Sequence, residues 1–375
     1  MKTSNLITFQ TILKYIEEIK ESFTEAFIAE SYFYWHLSCF YYFLKIPYRV
    51  VKKCLSYFGL ELNYMPRKQF SNMYHFSSDE KKWSLDFLIY CLKNPSHVTF
   101  DLSYFKEQED KKEILKFIRN KVYGAFLDSV EKHKLFDRLD LKYESEYEKM
   151  NRKIKKKSKN YVLLDRKEYV LPINHFEHVV FYHKYGLYEI PSHVRESLEG
   201  KDIIDAGAFI GDSALILNEL NPRRIYAFEP LKENVLFLRK TIELNNLKNV
   251  IIVEKALASK EGTSSMVPAG SGSFISKQGE EIELTTLDNF ANKNSLNIGL
   301  IKMDVEGYEP EIIKGAEFTI KERKPILIVS LYHTGEEFFE VPKLLKSWVP
   351  EYEFRFLNLN RTHASFERVL VAYLP

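Results

Sequence analysis

Residues 201–230 read KDIIDAGAFIGDSALILNELNPRRIYAFEP, and their order sets the architecture: an apolar strand, a glycine-bearing turn, a helix, then a second strand. Ile203 and Ile204 supply the first buried strand, which ends at Asp205. Gly207 lets the backbone turn tightly with no Cβ between chain and ligand. Gly211 does the same where the helix begins, so that open N–H groups face the ligand. Tyr226, Ala227 and Phe228 carry the second strand to Glu229, 22 residues beyond Gly207, and Pro230 ends it. A carboxylate at that place accepts hydrogen bonds from both hydroxyls of a ribose. The pattern predicts a pocket for an adenosine-containing cofactor, and with it an enzyme.

Glycine spacing separates two cofactor classes. A nicotinamide fingerprint is G-x-G-x-x-G, because the pyrophosphate approaches the backbone at the second glycine. Counted from Gly207, this chain has Phe209 and Asp212 at the second and third glycine positions. S-adenosylmethionine carries no phosphate, and its methyltransferases use an acidic residue, any residue, then G-x-G-x-G with a tolerant middle position. Asp205, Gly207 and Gly211 match that pattern with Phe209 in the tolerant place, which favours the methyl donor over NAD.

The chain has 375 residues, enough for two units. A net charge of +2 gives no electrostatic mandate for nucleic acid. Cys39, Cys54 and Cys91 are odd in number and show no C-x-x-C spacing, which argues against a disulfide framework or a zinc site and fits a reducing cytoplasm. No secretory signal is expected, since the first 22 residues lack a compact apolar core. The apolar stretch Tyr32 to Leu44 is shorter than the ~20 residues a spanning helix needs. With Arg49, Lys52 and Lys53 behind it, it can lie on the inner face of a membrane, or its aromatic rings can pack against a neighbouring helix.

Residues 1–155 read as a mostly helical N-terminal domain, and 156–375 as the cofactor domain. Ile12, Ile16, Ile19, Phe23 and Phe27 form one apolar helix stripe, and Ile114, Ile118, Val122 and Phe126 another. Ser77 and Glu80 have the spacing of a capping box. RKIKKKSK, Arg152 to Lys159, reads as a charged linker or a solvated helix end, and Tyr161 to Pro172 as a hairpin turning near Asp165 and Arg166. His175, His178 and His183 are expected to be structural or on the surface. After Glu229 the pattern gives a helix over 235–245, a strand over 250–253, and short strands around the turn Gly270 to Ser273, a lid or an ordinary hairpin loop. Then come a strand over 298–303, a helix over 310–321, a strand over 325–331, and two final strands over 352–357 and 368–374. Alternating strands and helices mean a Rossmann-like α/β fold, its mostly parallel sheet covered on both faces and closed by an antiparallel edge.

In such sheets the site lies beyond the carboxyl ends of the strands. That rule selects Asp205, Glu229, Ala256, Asp304 and Ser330 to His333 as one rim. Asp304, in KMDVEGYE, is sited to touch the amino acid end of the cofactor, to orient the acceptor, or to hold a divalent ion together with Glu306. Methyl transfer from a sulfonium is an in-line displacement, so alignment supplies most of the catalysis, up to roughly 7–11 kcal/mol. A hydroxyl acceptor gains a further ~10²–10⁴-fold from a base. His333 is the base candidate by chemistry, since imidazole titrates near neutrality. Lys302, on the strand itself, reads as structural.

The segments IIDAGAFIGDSA, AFEPLKENVLFLRKTIELNNL, EKALA, TTLDNF and IKMDVEGYEPEIIKGA together resemble the FkbM family of S-adenosylmethionine-dependent methyltransferases, from about Val162 onward. The resemblance implies a class I methyltransferase fold, seven strands in the order 3-2-1-4-5-7-6, and O-methylation of sugars or other hydroxylated products. It implies that Asp205, Gly207, Gly211, Asp212, Ser213, Glu229, Asn234 and Ala256 line the cofactor site, with Ala208 and Pro230 beside them, and that Asp304 sits next to the reacting methyl. Where the family has an asparagine, this chain has Phe209. A surface glycan or a nucleotide-linked sugar is the expected acceptor. The alternatives are a lipid or protein acceptor, suggested by the aromatic N-terminal segment, and a non-catalytic binding module.

Overall fold

The computed structural model of the chain describes residues 5–21, 73–268, 274–276 and 279–375. The stretch Tyr32 to Leu44, with the basic residues behind it, and the turn Gly270 to Ser273 lie outside the described residues, as do Phe23 and Phe27.

Seven strands form the central sheet: β1 (Asp202–Ala206), β2 (Arg224–Phe228), β3 (Val250–Val253), β4 (Ile298–Met303), β5 (Ile326–Ser330), β6 (Glu353–Asn358) and β7 (Arg368–Tyr373). Their order is 3-2-1-4-5-7-6, as the resemblance implied. The first five run parallel to one another, and β7 runs antiparallel between β5 and β6. β1, β4, β5 and β7 are buried along their whole length. Parallel strands covered on both faces need continuous apolar runs rather than alternation, and these sequences supply them. Successive residues still point to opposite cores: Ile204, Ile301 and Leu327 to one, Ile203, Leu300 and Ile328 to the other.

The helices used below are α1 (Phe9–Glu21), α2 (Ser78–Lys93), α3 (Gln108–Phe126), α4 (Arg138–Asn151), α5 (Asp212–Leu217), α6 (Lys232–Leu244), α7 (Leu287–Lys293), α8 (Glu309–Lys314), α9 (Glu317–Arg323) and α10 (Gly335–Trp348). The helix expected over 310–321 is two, α8 and α9. Gly315 separates them where the backbone presses on the Ala258 carbonyl so closely that a Cβ would overlap it. The capping box at the start of α2 forms as expected: Ser77 Oγ accepts from Glu80 N at 3.2 Å, and Glu80 Oε2 from Ser77 N at 3.0 Å.

The first core does not stop at residue 155. Side chains of α1, α2 and α3 join those of α7 to α10 and the sheet in one apolar cluster. Phe87 of α2 meets Phe338 of α10 at 5.6 Å, and Phe117 of α3 meets Phe356 of β6 at 5.9 Å. Ionic contacts seal the edge. Arg355 Nε donates to Asp110 Oδ2 at 2.8 Å, and Arg368 Nε to Glu113 Oε1 at 3.0 Å. The N-terminal portion also contributes short strands, Leu6–Thr8 paired with Thr99–Asp101 and Met73–His75 with Ser129–Glu131.

The basic run starts as a helix end, Arg152 being the C-cap of α4, and then continues as a strand rather than a linker. Ile154–Lys157 is an outer strand of a three-stranded meander with Asn160–Asp165 and Lys167–Leu171, its lysines in solvent. The expected hairpin is the second half of that meander. Beyond β3 a four-stranded flap carries Ala256–Leu257, Gly262–Val267, Phe274–Ser276 and Glu280–Thr285. No helix among the described residues is long and apolar enough to cross a membrane.

Candidate active site

The strand order reverses between β1 and β4, and beyond their carboxyl ends a cleft opens, where ligands of open α/β sheets bind. Its walls hold Gly207, Glu229, Asn234, Ala256, Asp304 and Glu306, with the apolar Phe228, Leu257, Met266 and Ile312 between them.

Glycine is required at position 207. Its φ is +77°, and a Cβ there would overlap the Asp304 carbonyl oxygen. The bend continues through Phe209, which adopts φ +45°, a conformation uncommon for a bulky side chain. What fixes it is Glu229. Glu229 Oε2 accepts from Phe209 N at 3.0 Å, while Oε1 accepts from Leu231 N at 2.9 Å and Asn234 Nδ2 at 3.2 Å. Burial nevertheless pushes this carboxyl up to about 7, the three donors only partly offsetting the lost hydration.

Beneath the bend, Lys302 is buried and structural, as expected. Its Nζ lies 3.2 Å from Asp205 Oδ1, donates to the Gly207 carbonyl at 2.9 Å, and sits over the Tyr185 ring. The second Asp205 oxygen accepts from Ser213 Oγ at 2.5 Å. Asp205 and Ser213 therefore brace the turn from below and do not line the cleft. Nor do three other expected cofactor residues. Ala208 is packed with Ala227 and Leu238, and Gly211 is a glycine because a Cβ would press on Leu238 of α6. Asp212 turns away to His175 and Glu177. Of the expected cofactor set, Gly207, Glu229, Pro230, Asn234, Ala256 and Asp304 do line the cleft.

Asp304 and Glu306 form the opposite end. The backbone after β4 turns through Glu306 at φ +59° and Gly307 at φ +95°, strain of a kind that clusters at functional sites. Burial, reinforced by Asp304 and Glu309, pushes Glu306 up to about 8. His333, expected as a base, does not open on the cleft. Its side chain is 1% exposed, behind Asp304 (Nε2 to Oδ1, 4.0 Å) and Glu306 (Nε2 to Oε2, 3.6 Å), with the Trp83 ring of α2 at 5.0 Å. A base must reach the proton it takes, and in this structure Asp304 and Glu306, not the expected base His333, line the cleft.

Two more carboxyls meet the same imidazole. Glu309 Oε1 is 3.7 Å and Glu337 Oε1 3.5 Å from Nδ1. Burial raises Glu309 well above the carboxylate range and Glu337 to about 7. Neither was singled out from sequence, although Glu337 closes a T-x-x-E capping box with Thr334 that was there to be read. A second cluster lies under the Phe209 bend. Burial opposes the charge on His175, but Glu177, 3.3 Å away, and Asp212 outweigh it and raise it to about 9. His178 and His183 are structural as expected, held neutral by burial against Tyr147, with values near 4 and 3.

The cleft fits S-adenosylmethionine. With the donor bound there, Glu229 would meet the ribose, Ala256, Leu257 and Phe228 would offer an apolar face for adenine, and the carboxylates at the Asp304 end would suit a sulfonium cation. Residues 205–356 match the family described as the methyltransferase FkbM domain. Among solved structures, the methyltransferase FkbM from Methylobacillus flagellatus is 22% identical over 46% of this chain and 44% of its own, with a TM-score of 0.36. The match thus spans less than half of that protein. A precorrin-6y C5,15-methyltransferase from Geobacter metallireducens is 18% identical over 50% of this chain and 88% of its own (TM-score 0.32). A Pyrococcus abyssi tRNA (uracil-54, C5)-methyltransferase, solved with S-adenosyl-L-homocysteine, is 16% identical over 57% and 44% (TM-score 0.33). No curated protein matches the chain. With the glycine bend, the Glu229 carboxyl at the end of β2 and the strand order in place, residues 205–356 carry an FkbM methyltransferase domain, the kind of domain that uses S-adenosylmethionine as methyl donor.

Proposed function

We propose that the chain methylates a hydroxyl oxygen of a saccharide. The observation that carries this reading is the pair Asp304 and Glu306 at the end of the cleft away from Glu229, one carboxyl for the acceptor proton and one placed to hydrogen-bond a neighbouring hydroxyl. The donor supplies a methyl group on a sulfonium, electrophilic without further activation. Glu229 and Asn234 fix the sugar of the donor, and the apolar wall of Phe228, Leu257 and Ile312 excludes water around it. Asp304 accepts the proton of the attacking hydroxyl as the oxygen–carbon bond forms and the carbon–sulfur bond breaks. Glu306, with its raised value, is largely protonated at neutral pH and donates a hydrogen bond to an adjacent oxygen of the acceptor. Alignment within the cleft supplies the larger share of the rate.

Incubating the full chain with labelled methyl donor and separated glycan, sugar nucleotide, lipid and protein fractions of the source cell tests the reading. Label recovered as a base-stable methyl ether in a saccharide fraction supports it. Label confined to lipid or protein overturns the acceptor class, and would make residues 32–53 the first place to look for a membrane contact.

A further inference from the structure

Among the described residues, five of the fourteen buried side-chain atoms without a hydrogen-bond partner gather around one imidazole. Both nitrogens of His333 are buried without a hydrogen-bond partner, and so are Asp304 Oδ1, Glu309 Oε2 and Glu337 Oε2. A buried polar atom left unpaired is costly, more so when charged, so five in one place call for a missing partner. A cation would answer all of them at once, because four carboxyl groups surround a single imidazole.

We infer that Asp304, Glu309 and His333 hold a divalent first-row metal ion at the floor of the cleft, a site that deepens the methyltransferase reading and rests on it. One ligand atom from each of the three lies within 4.8 Å of the others. With metal bonds of about 2.0–2.2 Å, two donors on one ion stand at most roughly 4.4 Å apart, so small side-chain adjustments complete the shell. One imidazole with two carboxylates suits Mn²⁺, Fe²⁺ or Zn²⁺. Whichever ring nitrogen binds, the other keeps a carboxyl within reach, Glu306 beside Nε2 at 3.6 Å or Glu337 beside Nδ1 at 3.5 Å. Metal-bound histidines are oriented by that kind of outer contact.

The sequence carries this set on two short segments. Asp304 ends β4 and Glu309 opens α8, five residues on, across the left-handed turn at Glu306 and Gly307. His333 follows β5 and precedes the Thr334–Glu337 capping box, which pins the start of α10. Asp304 and Glu306 line the cleft, so an ion entering from solvent reaches the cluster past them. The His175, Glu177 and Asp212 cluster is the weaker candidate, since imidazolium and carboxylate already pair there at 3.3 Å.

The test uses the full chain stripped by chelator and titrated with Mn²⁺, the free ion followed by electron paramagnetic resonance. One ion per chain, saturating at micromolar concentration, with nitrogen modulation of the bound signal in spin-echo spectra, is expected. His333→Gln and Glu309→Gln should each weaken it by about 10–100-fold or more. If His333→Gln does not fold, as judged by circular dichroism, the isosteric Glu309→Gln and the spin-echo spectrum of the unaltered chain decide. Absence of saturable binding, a bound ion with no nitrogen coupling, or unchanged affinity in Glu309→Gln overturns the site. Calorimetry with S-adenosylhomocysteine on the same metal-free sample separates the two readings. A chain that binds the nucleoside but takes up no ion sinks the metal site alone, and one that takes up the ion but binds no nucleoside sinks the methyltransferase reading while leaving the metal site standing.

Discussion

The two ends of the cleft are built on opposite rules. At the Glu229 end every oxygen of the key carboxyl is occupied by a donor from its own neighbourhood, Phe209, Leu231 and Asn234. At the Asp304 end the carboxyls crowd one histidine and leave buried atoms unpaired. A site that is satisfied when empty binds by substitution of prepared contacts. One that is unsatisfied when empty holds free energy that only a ligand, proton or ion releases. The first end is therefore expected to govern affinity for the donor and the second to govern turnover.

The sharpest way to break that division is Asp304→Asn. Loss of the proton acceptor should lower kcat by about 10²–10⁴-fold, while calorimetric affinity for S-adenosylhomocysteine stays within a few fold. A loss of affinity as large as the loss of rate would mean that the two ends are not separate. Next in size is Trp83→Ala. This ring comes from α2 and packs edge-on against His333, Tyr332 and Phe366. Removing it should cost about 3 kcal/mol of stability, the low end for a large aromatic because Trp83 is only half-buried. Activity should fall further than donor affinity, since the layer it belongs to backs only the acid end. Glu229→Ala should weaken S-adenosylhomocysteine by roughly 1–3 kcal/mol, as buried ribose hydroxyls lose a charged acceptor. Unchanged affinity in that variant would refute its assignment.

The same contrast explains what could be read before the fold was seen. The Glu229 end is local: strand, turn, helix and strand follow one another within thirty residues, and each residue type announces its backbone. Asp205, Gly211 and Ser213 were legible as parts of that motif but not as its underside, because the face a side chain presents at a bend depends on the Phe209 and Gly207 torsions. The acid end is assembled from 304–309, 333–337 and Trp83, and spacing along the chain does not reveal that they converge on His333. The basic run at 152–159 misled for a related reason. Its exposed lysines give no period, while the strand is dictated by pairing with Tyr161 to Leu163 across a tight turn.

The smallest effect is the most specific to the prepared end. Burial places the Glu229 carboxyl near 7 in the free chain, above the 4.5 of a solvated glutamate. For a raised carboxyl the sign runs against the usual acidic pair: the folded state is favoured while the group is protonated, and loses that advantage as pH rises from 4.5 towards 7. Donor binding runs the other way, because only the ionised form accepts from both ribose hydroxyls. Affinity for S-adenosylhomocysteine should therefore be level above pH 8 and fall about tenfold per unit below 7, and Glu229→Gln should remove the slope while keeping the shape of the side chain. A slope that survives in Glu229→Gln would move the titrating group to the Asp304 end and erase the distinction between a satisfied and an unsatisfied half of the cleft.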